Sequence, residues 1–102
     1  MQKNQKKLLI AANWKMTPAT VLEAKKKAQS FKNIAKKYDK IKGSSVRIGV
    51  LVCPPYPYLS ELISIFKKSS AEVGAQDVSL YDGGSKTAEV GSTMIQSLGV
   101  QY

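Results

Sequence analysis

The 102-residue sequence holds no histidine, one cysteine (Cys53), one tryptophan and a single arginine against fifteen lysines. Each scarcity excludes something. One cysteine forbids an internal disulfide, and without histidine the chain offers too few soft ligands for a zinc site, so no metal and no cofactor is expected. No apolar run approaches the roughly 18 residues that span a bilayer. The polar, basic start Met1 to Lys7 leads into no signal-peptide apolar region or small-residue cleavage site. A cytoplasmic protein without a membrane partner is the expectation. Arginine clusters and aromatic residues set among the lysines are also missing, and these are what a nucleic-acid surface uses.

What is present is a chain with 43% apolar and 23% charged residues, the balance of one small globular domain with a core. The net charge of +9 is local: residues 1 to 42 hold twelve basic residues against Glu23 and Asp39, whereas residues 43 to 102 hold four basic and five acidic ones. Most of the excess falls on one helical segment. A lysine-rich helical face is ordinarily a solvated surface, and that reading is preferred to a non-catalytic basic α/β module binding nucleic acid or an acidic partner through Lys25 to Lys42.

Lys7 to Ala12 reads as a short buried strand, and "MTPAT" carries helix-start chemistry, with Thr17 as cap, Pro18 at the first helical position, and Thr20 and Glu23 as a candidate capping box. Val21, Ala24, Ala28, Phe31, Ala35 and Tyr38 then recur at spacings of three and four as one apolar stripe. "KGSS" is a turn. "VRIGVLV", residues 46 to 52, is almost continuously apolar, the pattern of a parallel strand covered on both faces. The prolines of "CPPYPY" stop it, and Leu59, Leu62, Ile63 and Phe66 mark a second helix closing at Lys67 and Lys68. "AEVGAQ" is the third strand, Asp77 to Gly91 a long polar loop, Thr93 to Leu98 a short helix capped by Gly99, and Val100 to Tyr102 the start of another strand.

Strict alternation of strands and helices gives an α/β fold with parallel strands. Two architectures fit: a small open doubly wound sheet, or the opening part of a (β/α)8 barrel, which in full needs about 250 residues. In both, ligands gather at the carboxyl ends of the strands. The first strand ends in Asn13 and Lys15, the second in Cys53 and the third in Gln76. Residues two apart on an extended chain face one side, so Asn13 and Lys15 are expected to converge while Trp14 turns into the packing. An ammonium beside an amide donor suits a phosphorylated or carbonyl ligand whose oxygen gains negative charge. Cys53 at the end of a buried strand reads as a packed, unreactive thiol.

"NWKM" after the first strand, "CPPYPYL" after the second, and "GAQDVS" and "TAEV" after the third, in that order, resemble the triosephosphate isomerase family from Leu8 to Tyr102. The resemblance implies that residues 1–102 are a partial (β/α)8 barrel domain of about three of the eight units, cut at the start of the fourth strand. It implies a cytoplasmic, glycolytic and gluconeogenic isomerase, a homodimer when complete, that interconverts dihydroxyacetone phosphate and glyceraldehyde 3-phosphate through an enediolate. By the same resemblance Asn13 and Lys15 are the substrate-binding and catalytic pair, and Gln76 and Thr87 belong to the dimer interface. Glu89 is a structural residue that pairs with an arginine further along. The family's neutral histidine and glutamate base fall outside this sequence, and losing a positioned base alone costs on the order of 10² to 10⁴ in rate. Residues 1–102 alone are therefore expected to be inactive, and to associate through unpaired sheet edges. Lys86 and Ala88 stand where the family has an aromatic residue and a glycine; a positive φ at Ala88 would strain that loop by roughly 1 kcal/mol or more.

Overall fold

Three parallel strands in the order β1-β2-β3 form the sheet of the computed structural model, which describes residues 6–41 and 45–102. The expected turn at "KGSS" lies outside the described residues except for Ser45. The elements run β1 (Lys6–Asn13), α1 (Val21–Asp39), β2 (Val46–Cys53), one 3₁₀ turn (Tyr56–Tyr58), α2 (Leu59–Phe66), β3 (Glu72–Val73) and α3 (Ser92–Ser97). β1 and β2 are in register from Lys6 opposite Val46 to Asn13 opposite Cys53. Both crossover helices lie on one face, where α1 packs on α2 and on β2. A doubly wound sheet would divide its helices between two faces, so this is the arrangement of a barrel wall, here open.

The core fills the space between that face and the helices. Val50 and Val52 from β2, Ala24, Ala28 and Ala35 from α1, and Leu59, Leu62 and Phe66 from α2 are all buried together. Alanines on α1 let the helix approach the sheet closely, and the larger side chains of α2 contribute about 1.5–3 kcal/mol each by leaving water. The apolar stripe expected of α1 is buried at its alanines and half-buried at Phe31, but Val21 and Tyr38 at its ends remain exposed. The helix starts later than "MTPAT" suggests. Thr20, not Thr17, is the cap: its hydroxyl accepts the Glu23 N–H at 3.2 Å and donates to Glu23 Oε1 at 3.0 Å. Thr17 instead donates to the Trp14 carbonyl, and Pro18 precedes the helix. Thr17 and Thr20 offer the same oxygen chemistry, and only the second has a carboxylate three residues on.

Three other expectations change. β1 is not a buried strand: Leu8 and Ile10 are each 53% exposed, because among the described residues β2 alone lies beside it and no helix covers it. β3 shrinks to Glu72–Val73, although just beyond it the Gly74 N–H still bonds the Val52 carbonyl at 2.9 Å. Val100 to Tyr102 make no regular strand, although the Ala75 N–H donates to the Tyr102 carbonyl at 2.9 Å and Val100 is buried. Gly99 ends α3 as expected, with the positive φ of 92° that a helix exit favours.

On the sheet's other face, Lys7 of β1 reaches Glu72 of β3 at 3.7 Å, across the intervening strand. Gly49 makes the crossing possible, because a Cβ there would stand 3.1 Å from Lys7 Cε and 3.2 Å from Leu9 Cδ1. The pair is half solvated and contributes at most about 1 kcal/mol.

Candidate functional site

The carboxyl end of β1 is held by its backbone. Trp14 donates its N–H to the Cys53 carbonyl at 3.0 Å, extending the β1–β2 ladder by one bond, and its indole is buried against Phe31 with Lys27 Nζ 4.6 Å from the ring centroid. The expected inward turn of Trp14 is thus what the structure has. With that anchor set, Lys15 leaves the strand: its φ is +56°, in the left-handed region that costs a side-chain-bearing residue roughly 1–2 kcal/mol.

Two carboxamides hold Lys15 there. Asn13 Oδ1 accepts the Lys15 N–H at 2.7 Å, and Gln76 Nε2 donates to the Lys15 carbonyl at 2.8 Å and to the Cys53 carbonyl at 3.0 Å. Because a backbone N–H can only donate, Asn13 must turn its oxygen inward and its NH₂ outward; because Gln76 meets two carbonyls, its NH₂ faces the loop. Extended-strand geometry therefore ends at Asn13, and the two residues are joined by amide to backbone contact. The Lys15 side chain is exposed and forms no ion pair among the described residues. The result is a loop fixed at both of Lys15's backbone polar groups, with one ammonium and one carboxamide donor left for an anion.

Gln76 was expected at the base of the third loop, and it is there; that its amide would span to the first loop carries no signal in spacing, since the residues are 61 apart. Cys53 is half-buried, and burial pushes its thiol pKa up, with the hydrogen bond from the Gly74 backbone pulling the other way. A raised pKa keeps the sulfur protonated and poorly nucleophilic.

The loop from Asp77 to Gly91 has its own braces. Tyr56 donates its hydroxyl to the Asp77 carboxylate at 2.7 Å and to the Asp77 carbonyl. Burial, then the hydrogen bond to and charge of Asp77, then the charge of Glu89 push the Tyr56 phenol up to about 12. The Ser79 N–H bonds the Val90 carbonyl at 2.8 Å and its hydroxyl donates to Glu89 at 3.2 Å. Asp82 accepts the Thr93 N–H at 2.8 Å and the Thr93 hydroxyl, and these bonds hold its carboxyl below the ordinary range. Thr87 is exposed near the tip, beside Ala88 at φ +62°, the strained position expected from the sequence. Lys86, in the place of an aromatic residue, lies over the Tyr81 ring at 4.4 Å.

A hollow of roughly 740 Å³ is an open groove between Ala75, Asp77 and Val78 on one side and Ile95, Gly99 and Tyr102 on the other, and neither Asn13 nor Lys15 lines it. No group of three or more metal-ligating side chains occurs among the described residues, and no helix there is long and apolar enough to cross a membrane.

A model of the triosephosphate isomerase family matches residues 8–102. The chain is 37% identical over 99 residues to triosephosphate isomerase of Dechloromonas aromatica, an alignment covering 95% of this chain and 35% of that one. It is 33% identical over 94 residues to the enzyme of Herminiimonas arsenicoxydans, covering 92% and 34%. The crystal structure of triosephosphate isomerase from Bartonella henselae superposes with a TM-score of 0.67 at 24% identity, over 90% of this chain and 34% of that one, which shows the fold. The chain spans about a third of the length of the curated relatives it matches.

Proposed function

The chain belongs to the triosephosphate isomerase family, and from that premise we propose that it supplies the first-strand part of a site interconverting dihydroxyacetone phosphate and glyceraldehyde 3-phosphate. Lys15 places a positive charge beside the phosphate and the reacting oxygens, and the outward NH₂ of Asn13 donates to the same region. Both favour the enediolate, whose oxygens carry more negative charge than the carbonyl of the ground state. The observation that supports this reading most is the fixed, left-handed backbone at Lys15, bonded at its N–H by Asn13 and at its carbonyl by Gln76. Lys68 after α2 also has a positive φ, of 62°, so it is the two side-chain amide bonds at Lys15, not the φ alone, that set this turn apart.

The reaction also needs a proton carrier. This sequence has no histidine, and its carboxylates near the third loop are committed to Tyr56, Ser79 and Thr93. Residues 1–102 alone are therefore inactive, and activity belongs to a complete cytoplasmic barrel. In that barrel, Thr87 at the loop tip and Gln76 at the loop base serve a homodimer interface and Glu89 pairs with a later arginine.

Joining residues 1–102 to the remaining two-thirds of the Dechloromonas aromatica enzyme tests the reading. The isolated chain shows no isomerase turnover, the chimera regains it, and Lys15→Ala in the chimera lowers kcat/KM by at least about 10², a loss of about 2.7 kcal/mol of transition-state binding. Lys26→Ala, on the solvated face of α1, changes it less than about twofold. Equal effects of the two substitutions refute the role given to Lys15.

A further inference from the structure

Thr17 caps no helix, yet its hydroxyl donates to the Trp14 carbonyl at 2.7 Å. That carbonyl and the Lys15 N–H belong to one peptide unit, and the N–H is bonded by Asn13 Oδ1 at 2.7 Å. Thr17 and Asn13 therefore grip the same peptide plane from its two ends, while Gln76 grips the next plane through the Lys15 carbonyl. The backbone leaves this turn open. Among the described residues no backbone N–H bonds the Trp14 carbonyl, and the Thr17 hydroxyl takes the place of the N–H, three residues on, that ordinarily closes a four-residue turn. The turn after α2 shows the usual arrangement, for there the Phe66 carbonyl receives the Ser69 N–H at 3.0 Å as well as the Ser69 hydroxyl.

We propose that Thr17 is a positioning residue: by holding the Trp14 carbonyl it fixes the polarity of the Trp14–Lys15 peptide, and with it which end of the Asn13 carboxamide faces the substrate. Hydrogen bonds, not burial, restrain this plane, because Lys15, Met16 and Thr17 are all exposed, Met16 at 93%. A half turn of the plane exchanges its N–H and its carbonyl. It also carries the φ of Lys15 from +56° into the extended region open to any residue, so the strain at Lys15 favours the reversal. Asn13 would then meet a carbonyl oxygen, turn its NH₂ inward and present its own oxygen to the substrate, where an acceptor repels an anion. The Thr17 hydroxyl opposes that exchange. Its own place is set from the second loop, since Pro18, next in the chain, gives its carbonyl to the Tyr58 hydroxyl at 2.8 Å. This role rests on the outward NH₂ of Asn13 serving the substrate.

In the chimera, Thr17→Val keeps the size of the side chain and removes the hydroxyl. Its kcat/KM is expected to fall about 3–10-fold with circular dichroism unchanged, whereas Thr17→Ser, which keeps the hydroxyl, stays within about twofold. Asn13→Ala costs at least about tenfold. Adding Thr17→Val to it costs less than about twofold more, because no carboxamide remains to be oriented. In the 102-residue chain, hydrogen exchange of the Lys15 amide quickens at least about threefold with Thr17→Val and not with Thr17→Ser. A harmless Thr17→Val, a Thr17→Ser as damaging as Thr17→Val, an undiminished loss from Thr17→Val on top of Asn13→Ala, or an unchanged Lys15 amide overturns the role of Thr17. A harmless Asn13→Ala overturns the donor reading of the site instead, and the Lys15 amide then still decides whether Thr17 holds the plane.

Discussion

β1 and β2 are the same length, aligned residue for residue and similarly apolar in their second halves, yet their surroundings are opposite. Val50, Leu51 and Val52 are at most 6% exposed, whereas opposite them in β1 Ile10 and Ala11 lie open and only Ala12 is half-buried against the core. The difference is in what each strand has beside it. β2 has a strand on both sides, α1 over one face, and the Gly74 and Tyr102 region against the other; β1 has β2. An apolar run records what a segment is able to bury, and its neighbours decide whether it does.

One pair of identical substitutions breaks the comparison most sharply. Leu51→Ala empties a buried position and is expected to cost about 2–5 kcal/mol, while Leu8→Ala costs less than about 0.5 kcal/mol; urea denaturation at constant protein concentration reads both. Comparable losses would mean that β1 is covered in solution.

A smaller effect sharpens the contrast where the two strands end. Gln76→Ala removes the donor shared by the Cys53 carbonyl after β2 and the Lys15 carbonyl after β1, and is expected to cost about 1–2 kcal/mol. Amide exchange at Lys15 should quicken with it, while exchange within β2 stays slow. An unchanged Lys15 amide would show that the turn holds without Gln76.

The smallest effects depend on pH and concern the loop that β2 supports through Tyr56. Its phenol is lifted to about 12 in the folded chain against about 10 in an unfolded one. The unfolded state therefore loses its proton first, so the contribution to stability is full below pH 10 and fades as pH rises toward 12. Tyr56→Phe should flatten that alkaline limb. Asp82 has the opposite sign: held low by Thr93, it supports the fold above the usual carboxylate range and gives up that support as pH falls through its lowered value. Asp82→Asn should soften the acid limb, leaving the core helices unaffected.

Much of the fold and part of the site are legible in the sequence, for local reasons. The spacing of Ala24, Ala28 and Ala35 marks α1, the prolines of "CPPYPY" end β2, Gly99 closes α3, and "NWKM" points to the loop that carries Lys15. What the sequence hides is non-local. Gln76 and Lys15, Tyr56 and Asp77, Asp82 and Thr93 meet only because the sheet and loop bring distant residues together, and no periodicity encodes such a meeting. The exposure of β1 is hidden for a related reason, since its composition matches that of a covered strand. Thr17 and Thr20 differ as caps only through the carboxylate of Glu23, which stands three residues beyond Thr20 and so completes the reciprocal bond there and not at Thr17.

The left-handed turn at Lys15 sets folding against capture of an anion. Glycine would adopt that φ with no steric penalty and relax the chain by about 1 kcal/mol, but it has no ammonium to offer. A selection for thermal robustness alone would drift toward glycine at this position and away from lysine. At this φ lysine carries a steric strain that glycine would not, and in exchange it sets a positive charge at the end of β1.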